Sequence, residues 1–381
     1  MFKVLIWDYV GISKQWLNQN ADKKDIDIVA TITPNEPVPE LLLKRDAWDC
    51  LLIFEKNMRE FFDVTLLALK LPPEKIIYAL DTNSWLQHPK AICNILNDSG
   101  GIIRRWHDFI NFRKQTDFIT CTAEGLSYVA TSKDNLLISR MYATQQNYSA
   151  NDMKTFQALV KQYYGIDEST GYFLDIGANI GTTCIYFAKK LAPNLKVLAF
   201  EPDPENFKML RINTILNDMD SKTLAVNCGL GDKFDEMTMY RNLSNPGANS
   251  IFKYENDMPS ENIKIIPLDD YLAEKNIAAQ DVKYIWIDTE GFEPQVVLGA
   301  KNLLTQNPAP IFMECNLGAW DKSGRFEDMM ALLEKNYSHF ILVENGKNVL
   351  CPLTALRTME KSNTVFGRRG DIFLIRKGAI D

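Results

Sequence analysis

The sequence predicts an α/β fold: a seven-stranded Rossmann-like sheet with helices on its faces, preceded by a smaller α/β domain. Three observations carry this expectation. An apolar run from Tyr172 to Ile176 passes directly into Gly177-Ala178-Asn179-Ile180-Gly181 and then into a helical pattern from Thr182, which reads as a buried strand, a glycine turn and a helix start. Short apolar runs and helical segments then alternate as far as Met313, the order that builds a parallel sheet. Residues 1–80 repeat that alternation on a smaller scale.

In the first domain, residues 1–119, the predicted strands are Val4 to Trp7, Ile26 to Ile32, Asp49 to Phe54 and Lys75 to Ala79. Helices are expected at Ser13 to Asn20 and Arg59 to Leu71, the second closed by Pro72-Pro73. The first turn, Asp8 to Ser13, holds one glycine, Gly11, so a nucleotide site is not expected there. Trp85 to Asp117 reads as a linker with helices.

The second domain spans 120–381. A hairpin is expected from Ser127 to Ala130 and Leu136 to Ser139, turning at Asp134-Asn135. The polar, aromatic stretch from Arg140 to Tyr148 has no clear period and is placed to fold over a pocket as a lid, presenting Arg140, Tyr142 and Gln145 to an acceptor. A helix from Asn151 to Tyr164 leads into the glycine turn. Beyond it come strand Val197 to Phe200, helix Pro204 to Asn217, strand Lys222 to Cys228 and the turn Gly229 to Asp232. Strands Glu236 to Arg241, Ile263 to Ile266, Tyr284 to Ile287 and Ile311 to Met313 follow, with helix Pro294 to Leu304 before the last of these. Phe340 to Val343 and Ile372 to Arg376 close the sheet.

The glycine turn selects among nucleoside ligands. A dinucleotide turn, G-x-G-x-x-G, needs its second glycine for the approach of a pyrophosphate and its third for helix packing. Asn179 and Thr182 stand at those positions, which disfavours NAD and an oxidoreductase. About twenty residues on, a strand ends at Glu201-Pro202, where an acid can hold a ribose diol. S-adenosylmethionine has the diol and no pyrophosphate, so it is the expected cofactor. Its expected contacts are Asp175, Gly177, Asn179, Gly181, Thr182, Glu201, Pro202, Gly229 and Leu230. Strand-end acids Asp175, Glu201, Asp288, Glu290 and Glu314 should gather at one sheet edge, and a sulfonium cation prefers such company. Asp288 and Glu290 are the expected catalytic pair, removing the proton of an acceptor hydroxyl. Asn249 and Glu314 are expected beside the acceptor.

Composition narrows the partners. A formal charge of −7 and only short basic pairs, Arg104-Arg105 and Arg368-Arg369, argue against nucleic acid. The seven cysteines are widely spaced without a C-x-x-C pair, as expected of reduced core thiols in a cytoplasmic protein. Three dispersed histidines offer no triad or metal cluster, and no metal is expected. No apolar stretch reaches membrane-spanning length. Any homo-oligomer is expected to form through the N-terminal domain.

Four segments taken in order resemble the FkbM family of S-adenosylmethionine-dependent methyltransferases: Phe173 to Gly181, Phe200-Glu201-Pro202, Ile287 to Glu293, and Met313-Glu314. The resemblance covers roughly Glu124 to Lys377. It implies a class I methyltransferase-type sheet with an antiparallel last strand, and O-methylation of hydroxyls on sugars, glycans or related metabolites. Family members often carry Lys where this chain has Trp286. A non-catalytic assembly protein of a glycan-synthesis pathway is the competing expectation. The N-terminal domain is similar to small Rossmann-like domains that precede such enzymes.

Overall fold

A computed structural model describes the chain except residues 22–23, 25, 35–39, 96–100, 167, 169, 243–244, 254–257, 345–346, 360–369 and 381. The Arg368-Arg369 pair lies outside the described residues. The chain divides into two compact units, one of Met1–Thr116 with Tyr142–Thr144, the other of Asp117–Met141 with Gln145–Asp381.

The first unit holds β1 (Phe2–Asp8), β2 (Ile26–Ile32), β3 (Cys50–Phe54) and β4 (Ile76–Tyr78) in a parallel sheet of order β2-β1-β3-β4. Every residue of β3 is buried, as a strand covered on both faces requires. At the end of β1 the Asp8 carboxylate accepts the Gly11 N–H at 2.8 Å, the Ile12 N–H at 3.1 Å and the Ser13 N–H at 2.8 Å. The amides that would cradle a phosphate at the start of helix Ser13–Asn20 are therefore already taken by the chain's own anion.

The second unit opens with a hairpin of β5 (Phe118–Ala123) and β6 (Leu126–Thr131). This corrects the expected hairpin. The turn falls at Glu124-Gly125, both at positive φ, and the second expected strand is instead helix Leu137–Thr144. Asp134 decides it, because its carboxylate accepts the N–H groups of Leu136, Leu137 and Ile138 and so starts a helix rather than a turn. The hairpin docks on helix Pro204–Leu216 and its C-cap: the side-chain amide of Asn213 pairs with both backbone groups of Val129, and that of Asn217 with both of Ser127. Two asparagines four residues apart thus stand in for a neighbouring strand.

The main sheet contains β7 (Tyr172–Ile176), β8 (Lys196–Phe200), β9 (Thr223–Val226), β13 (Val282–Ile287), β14 (Ile311–Glu314), β15 (Tyr337–Glu344), β16 (Lys347–Pro352) and β17 (Asp371–Arg376). Its order is β16-β15-β17-β14-β13-β7-β8-β9, with β17 antiparallel to β14. Removing the edge strand β16 leaves the seven-stranded order of a class I methyltransferase. The eighth strand was not expected. Strands β10 (Gly229–Leu230), β11 (Asp235–Tyr240) and β12 (Ser260–Ile266) form a separate small sheet.

Register lines up Asp175, Trp286, Phe312 and Phe373 across four neighbouring strands. Trp286 stacks on Phe312 at 4.6 Å and 8°, and Phe156 of helix Ala150–Tyr163 covers the row. The expected helix Pro294 to Leu304 is broken into Glu293–Gly299 and Lys301–Gln306. Gly299 lies against the backbone of Gly231, where a β-carbon would come within 1.9 Å of the Gly231 carbonyl oxygen. Strand order reverses between β7 and β13, which opens a crevice at their carboxyl ends.

Candidate active site

Three backbone features shape the crevice. Gly177, Asn179 and Gly181 all take positive φ, 86°, 49° and 87°. The N–H groups of Gly177 and Ala178 both donate to the Phe200 carbonyl at 3.0 Å, tying the turn to the end of β8. Asp288 N–H donates to the Ile176 carbonyl at 2.9 Å, bringing the tip of β13 to the same place.

Glu201 is 5% exposed and lines the cleft beside the turn. Its carboxylate accepts the Asn179 N–H at 2.7 Å and the Asp203 N–H at 2.8 Å. Burial lifts its carboxyl from the usual 4.5 to about 8; the Asp203 and Asp175 carboxylates push the same way, while the two amides pull back. Asp175 was expected at the ligand. The structure instead buries it completely, with one oxygen accepting the Cys184 N–H at 3.1 Å and the other, Oδ1, without a hydrogen-bond partner among the described residues. Burial raises this carboxyl to about 7 against the hydrogen bonds from Cys184. Asp175 thus lies buried behind the turn, bonded to the helix that follows it. Gly181 plays a packing part, since a β-carbon there would meet Leu210 Cδ1 at 2.7 Å.

The cleft is lined by Gly177, Asn179, Glu201, Pro202, Gly229 and Leu230, with Ile265 and Phe292 as apolar walls. Three acids, Glu201, Asp288 and Glu290, face it, and no lysine or arginine does among the described residues. A pyrophosphate would find no countercharge there. A cationic ligand with a diol suits the donor and acceptor set.

A second, polar cavity adjoins the turn. Asp288, Glu290, Glu314, Asn316 and Arg140 line it, with Thr182 and Trp286 in its wall. Asp288, Glu290 and Glu314 each place a carboxylate oxygen within 4.8 Å of the others. The lid expectation is corrected in part. Arg140 reaches this cavity from a helix rather than a loop, whereas Gln145 is the exposed C-cap of that helix and Tyr142 packs on Phe109 at 5.7 Å; neither lines a described cavity.

Pro246, Gly247, Asn249, Ser250 and Ile251 also line the cleft, and side-chain bonds anchor their neighbourhood. Arg241 Nε donates to Asp203 Oδ2 at 2.6 Å, Asn249 Nδ2 donates to the same oxygen at 3.2 Å, and Asn206 Nδ2 donates to the Pro246 carbonyl at 3.1 Å. Ser250 Oγ donates to the Glu290 carbonyl at 3.1 Å. Of these anchors sequence reasoning singled out Asn249. Asp203 was detectable as the N-cap before Pro204, accepting from Glu205 and Asn206. Its second partner, Arg241, left no local signal.

Sheet order, glycine turn and an acid-lined cleft define a class I S-adenosylmethionine-dependent methyltransferase. Residues 175–339 match the family described as Methyltransferase FkbM domain. Over that stretch the chain is similar to FkbM-family methyltransferases. It is 27% identical over 195 residues to Methyltransferase sdnD of Sordaria araneosa, covering 44% of this chain and 73% of that protein. Among solved structures it is similar to the FkbM methyltransferase of Methylobacillus flagellatus KT (13% identity, TM-score 0.36, covering 98% of this chain and 89% of that one). An O-methyltransferase from Bacillus cereus, solved with SAH, is also similar (13% identity, TM-score 0.34, covering 60% of this chain and 81% of that one). The strand order itself defines the fold. Among the described residues no helix is long and apolar enough to cross a membrane.

Proposed function

We propose that this protein transfers a methyl group from S-adenosylmethionine to a hydroxyl of a sugar, glycan or related polyhydroxylated metabolite. The observation that carries the reading is the polar cavity beside the glycine turn, where Asp288 and Glu290 stand with Glu314 and Asn316. When bound, S-adenosylmethionine supplies an electrophilic methyl group on a sulfonium. Glu201 would receive the ribose hydroxyls, with Asn179, Pro202, Gly229 and Leu230 around the nucleoside. Asp288 or Glu290 would take the proton of the acceptor hydroxyl as its oxygen bonds to the methyl carbon and the sulfur–carbon bond breaks. An aliphatic hydroxyl is a poor nucleophile until that proton leaves, so a carboxylate at this position has a task to perform.

Acceptor recognition would rest on Arg140, Asn249 and Glu314, each of which lines a cavity here. A hydroxyl-rich acceptor fits walls that carry several carboxylates and side-chain amides. The six described cysteines are free thiols, which supports a reducing, cytoplasmic setting. Incubation with S-adenosylmethionine and a panel of sugars, nucleotide sugars and glycans, followed by mass spectrometry, tests the reading: one acceptor should gain one methyl group. A gain only on nitrogen or carbon acceptors would sink it.

A second reading keeps the reaction and changes the carboxylates' part. The convergence of Asp288, Glu290 and Glu314 fits a divalent cation that would chelate an acceptor diol. Activity abolished by chelation and restored by magnesium would favour it.

A further inference from the structure

We propose that Glu293 is the positioning residue for the catalytic loop, locking Asp288 and Glu290 to the segment that carries Glu314; the inference rests on the methyl-transfer reading above. Glu293 is fully buried, with 0% exposure. One of its carboxylate oxygens, Oε1, accepts the Thr289 N–H at 2.9 Å, the Thr289 hydroxyl at 2.8 Å and the Gly291 N–H at 3.3 Å. The other, Oε2, accepts the indole N–H of Trp320 at 2.6 Å. The side chain therefore has one oxygen on the loop and one on helix Leu317–Lys322.

The loop needs such a hold. Glu290 takes φ +51° and Gly291 φ +101°, and a non-glycine residue persists in that region only where its surroundings over-determine it. Thr289 and Gly291 flank Glu290, so the bonds to Oε1 grip the backbone on both sides of the candidate base. Helix Leu317–Lys322 lies directly on the loop: a β-carbon at Gly291 would sit 2.6 Å from Ala319 Cβ. The same helix is started by Asn316, whose Oδ1 accepts the Ala319 N–H at 3.1 Å, and Asn316 follows Glu314 by two residues. The path from Asp288 and Glu290 through Glu293 and Trp320 thus reaches the third carboxylate of the cavity.

A plain helix cap does not account for this arrangement. Glu293 opens helix Glu293–Gly299, where a carboxylate is favourable, but a cap works as well at the surface and has no use for a bond to a distant indole. Burying a carboxyl group is costly unless its hydrogen bonds are satisfied, and removing one partner leaves the other unsatisfied. Here both oxygens are used, and each on a different segment of the site.

The experiment is a double-mutant cycle of Glu293→Gln and Trp320→Phe in the full chain, reading kcat, acceptor KM, SAH affinity by calorimetry and hydrogen exchange at Thr289 and Gly291. Glu293→Gln sets an amide N–H₂ against either the indole N–H or the loop amides. It should lower kcat by roughly 10²-fold, the scale of a misplaced base, while SAH affinity stays within about threefold. Trp320→Phe should lower kcat by about tenfold and speed exchange at both loop amides. The double variant should lose less than the product of the singles, because removing the indole donor relieves its clash with the new amide. If Glu293→Gln does not fold, Trp320→Phe alone decides by the same kcat and exchange readouts. Folded variants with kcat within twofold of wild type, or losing SAH affinity in step with kcat, overturn the proposal. Asp288→Asn and Glu290→Gln run alongside: if these abolish turnover while Glu293→Gln does not, only the positioning inference fails.

Discussion

The carbonyl oxygen of Asp288 occupies the space that a β-carbon at Gly177 would need, at 1.8 Å. Both partners are backbone, so neither can swing aside. The glycine that permits the turn's positive φ also lets the tip of β13 close on the tip of β7, and this contact brings the expected base next to the cofactor cleft.

Gly177→Ala should therefore destabilise the fold by roughly 3 kcal/mol or more, since strain at positive φ adds to a backbone clash that repacking cannot relieve. Chemical denaturation measures it. A loss below about 1 kcal/mol would mean that the two strand ends separate easily.

Glu201→Ala should weaken SAH binding by roughly 2–4 kcal/mol, because its hydrogen bonds to the diol would go together with its support of the Asn179 and Asp203 amides. Calorimetry on the folded variant checks this. Unchanged affinity would move the ribose elsewhere.

Stability should fall with rising pH through the neutral range. Burial holds the Glu201 carboxyl at about 8 and the Asp175 carboxyl at about 7, against ordinary values of 4.5 and 3.8. Above those ordinary values the unfolded chain has released protons that the folded chain still holds. The stabilisation they provide is thus complete at low pH and is lost as pH rises through about 7 and then about 8. Urea midpoints measured from pH about 5 to about 8.5 should slope downward, less so in Glu201→Gln and Asp175→Asn. A flat wild-type profile would contradict the assignment.

Asp288→Asn and Glu290→Gln should reduce kcat by roughly 10²- to 10⁴-fold in whichever is the base, with SAH affinity little changed. Single-turnover kinetics on an accepted sugar separates chemistry from binding. Activity within about twofold of wild type in both would pass the role to Glu314 or to a bound cation.

A fragment beginning at Asp117 should bind SAH as the full chain does, because every residue lining the cavities belongs to the second unit. Starting instead at Thr120 would cut β5 and lose part of the hairpin that Asn213 and Asn217 hold. Loss of affinity in the folded Asp117 fragment would show that the N-terminal unit completes the pocket.

Local chemistry was legible in the sequence because its causes are local. Glycines at positive φ, an apolar run ending at Glu201 and a proline after Asp203 each announce a turn, a strand end or a helix start within a few residues. The hairpin was misjudged where two local signals competed: Asp134-Asn135 resembles a turn, but the Asp134 carboxylate starts a helix, and Glu124-Gly125 turns the chain without the usual Asn or Asp. Pairings across the fold were beyond sequence reasoning. Glu293 and Trp320, or Asp203 and Arg241, lie 27 and 38 residues apart, and nothing local in the sequence marks either pairing. That Glu314 shares a sheet edge with Asp288 and Glu290 was expected from the strand ends, but their approach to within 4.8 Å depends on the strand order, which is set by which apolar faces bury one another across the whole sheet.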